Sequence, residues 1–140
     1  MPSRHCMDLR AEQEGLELPY DPQPGIVVRI ARMNNPAMVA WNNSHEGKER
    51  LRQLKLQLGH DKGVDRWYRE SVAQWVVRGW SGMHVRATQQ EQPYGVEASI
   101  EYMVEPRYYQ WQDWVAARAG ETERFVEREK EDASKNSPPA

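Results

Sequence analysis

At 140 residues the chain has the length of one domain, enough to bury a core but not a large one. A formal charge of −2, from 19 basic and 21 acidic residues, gives no basic field for nucleic acid. No apolar run reaches membrane-spanning length, and six Trp with six Tyr supply more apolar surface than a compositionally disordered chain carries.

Residues 1–14 are polar and unpatterned and read as a flexible arm. No secretory apolar core follows the start at Met1–Cys6. Cys6 is the single cysteine, so no internal disulfide framework is available and a reducing cytoplasm fits. Without a paired His or a CxxC spacing it reads as an incidental thiol.

Patterning begins at residue 15 and holds to about 120, and this stretch reads as a single domain. Leu16, Leu18 and Tyr20 alternate with polar positions, as do Ile26, Val28 and Ile30. Between them Asp21, Pro22, Pro24 and Gly25 form a dense turn signal, so the segment predicts a β-hairpin. An isolated hairpin is marginal in water and must pack on something. Asn34, Asn35 and Pro36 end the second strand and start a helix, since Asn is a good N-cap and Pro suits the first helical position. Gly47 is expected to interrupt that helix. Leu51, Leu54 and Leu58 predict a further helical piece closed by Gly59.

The strongest periodic stripe follows. Val64, Trp67, Tyr68, Ser71, Val72, Trp75 and Val76 share one helical face, predicted to be the central buried face, with Gly79 as the stop. Residues 80–92 read as a loop, in which the alternation of Met83, Val85 and Ala87 allows a short strand. Pro93 and Tyr94 are expected to open a helix that buries Val96, Ile100, Met103 and Val104. Pro106 breaks it and opens another carrying Tyr108, Trp111, Trp114 and Val115, which ends at Ala119 and Gly120. Residues 121–140 hold six acids against four bases and read as a helical turn or two, then a disordered tail. The expected class is therefore α+β, mainly α, with an N-terminal hairpin, four to five short helices and a charged C-terminal tail.

Chemistry has little to stand on in this pattern. His5, His45, His60 and His84 are scattered, and no HxxxH, HExxH or CxxC spacing supports a metal site. No phosphate-cradling glycine loop or GxSxG elbow occurs, so neither cofactor nor catalytic residues are assigned and the chain is not read as an enzyme. Glu97 and Glu101, one helical turn apart, are a solvated face before they are an acid–base pair. Protein binding is the remaining class. Trp67, Trp75, Trp111 and Trp114 lie on apolar stripes and are assigned to the core. Trp41 and Trp80 sit near segment ends and, with Met83, are the candidate partner-binding residues.

The order of short motifs carries one further signal. Glu12 to Tyr20 followed by Arg29 to Pro36, with Ala31, Arg32, Asn35 and Pro36 forming an A-R-x-x-N-P corner, resembles the opening of the tail assembly chaperones of long-tailed bacteriophages and prophages. Trp80 and Gly82 resemble that family's W-x-G turn after a helix, and Pro93 and Tyr94 its next helix start. Glu127 to Asn136 resembles its charged end. Two features depart from the family: the loop after Gly82 lacks an acidic turn, and Met38, Val39 and Trp41 replace a more basic helix. The resemblance implies an assembly factor in the bacterial host cytoplasm. It would hold the tape measure protein soluble while tail tube subunits polymerise, with the tail tube protein and self-association as further contacts and no nucleic acid or membrane partner. The alternative is a structural virion component, such as a tail-completion or head–tail connector protein.

Overall fold

The turn at Asp21–Gly25 folds as expected. Strands β1 (Leu16–Pro19) and β2 (Val27–Ile30) pair antiparallel, with Leu18 opposite Val28 and Leu16 opposite Ile30. Gly25 takes the positive φ of +89° that the turn requires. The alternation is faithful: Leu18, Tyr20, Ile26, Val28 and Ile30 are buried, while Glu17 and Arg29 form a 3.2 Å ion pair on the other face. In this computed structural model residues 14–85 and 87–121 are described. The expected arm over 1–14 and charged tail over 121–140 thus fall almost wholly outside the described residues.

Five helices and a third strand follow. They are α1 (Pro36–Asn43), α2 (His45–Leu58), α3 (His60–Trp75), β3 (Val77–Ser81), α4 (Val96–Val104) and, after a 3-10 turn at Pro106–Tyr108, α5 (Tyr109–Ala119). The fold is α+β and mainly helical, with a three-stranded antiparallel sheet in the order β1-β2-β3.

Strand β3 is a correction to the sequence reading, which ran a helix to Gly79 and a loop from Trp80. Val76 and Val77 are β-branched and suit either state; a short apolar run does not decide between them. The open edge of β2 decides. It takes β3 with Val28 opposite Trp80 and Val27 opposite Ser81, and the Ala31 N–H donates to the Val76 carbonyl at 2.8 Å. The strand allowed at Met83–Ala87 is not found among the described residues of that stretch. Instead a small excursion is closed by an isolated bridge between His84 and Glu91, with the Gln92 N–H donating to the Met83 carbonyl at 2.7 Å.

The Asn35–Pro36 helix start holds. The Asn35 Oδ1 accepts the Met38 N–H at 3.0 Å, and Pro36 is the first helical residue. The first helix ends at Ser44 rather than at Gly47. Ser44 leaves helical geometry, donates its hydroxyl to the Trp41 carbonyl at 2.6 Å and accepts the Gly47 N–H at 3.0 Å, so it caps α2. Gly47 lies in the first turn of α2, where a Cβ would run into the Trp41 carbonyl oxygen.

Gly59, at φ +89°, turns α2 into α3, and the two helices pack antiparallel. Their approach is close because Gly63 has no side chain: a Cβ there would sit 2.7 Å from the Lys55 backbone. The predicted stripe is buried in its C-terminal half, at Ser71, Val72 and Val76, but not in its N-terminal half. The buried positions are Gly63, Glu70, Ser71, Val72 and Ala73, with Val76 at the cap, whereas Val64 and Tyr68 are 37% and 42% exposed. Glu70 faces α2 because two arginines meet it. Arg50 donates Nε and Nη2 to its two carboxylate oxygens, each at 2.8 Å, and Arg66 donates Nε at 2.8 Å. Hydrophobic periodicity does not register such a pairing.

The core lies between the inner face of the sheet, α3 and α5, and includes Val28, Ile30, Met38, Val72, Val76, Val77, Met103, Trp111, Trp114 and Val115. Helix α4 starts at Val96, not at Pro93, with extended Gly95 before it. It buries Ser99 and Met103 rather than the whole predicted stripe; Val96 is exposed and Ile100 half-buried. The Ser99 hydroxyl donates to the Ala73 carbonyl at 2.7 Å. Gln112 of α5 donates to the Tyr102 and Glu105 carbonyls at 3.0 and 2.8 Å and accepts from Arg69 at 2.9 Å, which binds α3, α4 and α5 together.

Replacing Asn35 by Ala should lower stability by about 2 kcal/mol, because it removes a cap and leaves the Trp75 carbonyl without its side-chain donor; urea denaturation measures it. Glu70 gives a pH signature. Burial alone would raise its carboxyl, but the hydrogen bonds from Arg50 and Arg66 outweigh burial and hold it below its ordinary value of 4.5. A lowered folded value means that this stabilisation is complete above the unfolded value and is lost as pH falls through the folded one. Urea midpoints should therefore drop below about pH 4.5, and Glu70→Gln should be less stable at pH 7 with a flatter acid limb. Equal midpoints for both proteins at pH 7 would contradict the role given to the pair.

Candidate protein-binding surface

The six tryptophans divide differently in the structure than along the sequence, although Trp75, expected in the core, is half-buried and packs against it. Trp111 and Trp114 are buried, as expected, and their rings stack at 6.1 Å. Trp80 joins them. Its ring lies 5.9 Å from Trp111, 5.4 Å from Tyr102 and 5.0 Å edge-on to Tyr94, and its indole N–H donates to the Gln92 carbonyl at 2.8 Å. Tyr94 donates its hydroxyl to the Val77 carbonyl at 2.8 Å, and Tyr20 stands edge-on to Trp114 at 5.1 Å. Burial pushes the Tyr94, Tyr102 and Tyr20 hydroxyls above their ordinary value. Met83 is half-buried against the same core.

The residues of the motif set thus have local structural tasks. Asn35 and Pro36 start α1, and the Arg32 carbonyl accepts from Asn35 at 3.0 Å. Gly82, at φ +78°, lets the end of β3 touch the Gly25 carbonyl, where a Cβ would collide. Pro93 and Tyr94 bring the chain back along β3 to α4.

Trp41 and Trp67 form a second aromatic group, away from that core. Their rings stack at 6.0 Å with 24° between planes, and the Trp67 indole N–H donates to the Gly47 carbonyl at 2.9 Å. Both are half-buried. Trp67 is therefore not the core residue that its stripe predicted. Val64 and Tyr68 are its i−3 and i+1 neighbours, i and i+4 to each other on α3, so the apolar surface continues from the stacked indoles onto an exposed strip. The Tyr68 hydroxyl donates to the Met33 sulfur at 3.2 Å, which extends the strip to the loop before α1. The structure does not bring Trp41, Trp80 and Met83 into one surface: Trp41 lies on this strip, while Trp80 and Met83 pack against the core. Sequence reasoning missed Val64 and Tyr68 as surface residues. The signal that marks them is the glycine and glutamate at Gly63 and Glu70, which face α2.

A shallow depression of about 310 Å³ lies on the outer face of the sheet, lined by Glu17, Val27, Arg29, Gly79, Trp80, Ser81 and Tyr94. Among the described residues no group of three or more His, Cys, Asp or Glu is placed to hold a metal ion, and no helix is long and apolar enough to cross a membrane. His45, His60 and His84 are exposed at separate places, the Ser44 hydroxyl is engaged as a cap, and Glu101 pairs with Arg107 at 3.3 Å.

Trp80→Ala should cost about 3 kcal/mol of stability, since it empties a site among three rings and leaves the Gln92 carbonyl without its donor. Tyr68→Ala should cost less than about 1 kcal/mol. Thermal melts of the two variants side by side test this division; equal losses would place Tyr68 in the core as well. Comparison with protein families, with curated proteins and with solved structures returns no match.

Proposed function

We propose that this chain is a tail assembly chaperone of a long-tailed bacteriophage or prophage, acting in the bacterial host cytoplasm to hold the tape measure protein soluble while tail tube subunits polymerise. The observation that carries the binding part of this reading is the half-exposed strip of Trp41, Val64, Trp67 and Tyr68. Stacked indoles beside an i, i+4 pair form an apolar strip of the kind that covers the apolar face of an amphipathic helix. A long helical partner would offer such a face many times. Many copies, each with modest affinity, then protect it by avidity and still leave when tube subunits arrive. The ordered motif set from Arg32 through Tyr94 supplies the identity of that partner, by resemblance.

Co-expression with a phage tape measure protein should raise that protein's soluble fraction, and the two should co-purify. Tyr68→Ala, folded as the wild type by its melt, should weaken capture by about tenfold or more, the scale of a hot-spot residue. No gain in solubility together with no co-purification would sink the proposal. Mass spectrometry of mature particles separates it from a virion component, which would be retained in fixed copy number.

A further inference from the structure

We draw no further inference here: the strongest candidate, the shallow depression on the outer face of the sheet beside Trp80 and Tyr94, carries nothing because its Arg29 and Glu17 side chains satisfy each other and nothing in the structure shows what covers it.

Discussion

The side chain of Asn35 makes three hydrogen bonds that separate parts of the fold need. Its Oδ1 caps α1, and its Nδ2 donates to the carbonyl of Arg32 at the exit of β2 and to that of Trp75 at the end of α3. The residue itself is fully buried, so its amide depends on these bonds rather than on water. The consequence is positional. The end of α3 is held beside the end of β2, and the next residues of the chain, Val76 and Val77, arrive at the open edge of the sheet. Strand β3 exists because of that delivery.

From there the sheet gains the surface on which the helices close. Trp80 reaches the inner face beside Val28 and meets Trp111 of α5, Tyr102 of α4 and Tyr94 of the returning segment. Each ring excludes water over a large area, and edge-on contacts add about 0.5–1.5 kcal/mol per pair beyond burial. The same packing explains why Trp80, at the end of a segment in the sequence, serves the core.

Helix α3 shows the opposite outcome. Its apolar stripe is buried at Ser71, Val72 and Val76 but left partly open at Val64 and Tyr68, where two other requirements are stronger. Gly63 lets the backbones of α2 and α3 approach, and Glu70 has to face the guanidinium groups of Arg50 and Arg66. Leaving that carboxylate unpaired inside the protein would cost more than leaving Val64 and Tyr68 partly wet. The exposed strip, which is the basis of the functional proposal, is thus a by-product of how a polar group was accommodated on the other side of the helix.

What the sequence determined by itself was whatever depends on a few neighbouring residues. The hairpin, the Asn35–Pro36 helix start, the turn at Gly59, the break at Pro106 and the stop at Gly120 were legible, because φ restrictions and side-chain caps act within a turn of chain. The α+β, mainly helical class followed from their order. Only the tertiary structure decided the state of Val77–Ser81, which part of the α3 stripe is buried and the division of the tryptophans. Each rests on a partner distant in sequence: β2 for β3, Arg50 for Glu70, Trp111 for Trp80 and Trp41 for Trp67. A periodicity records which face of an element is apolar, but the partners that fold against it determine which face is buried.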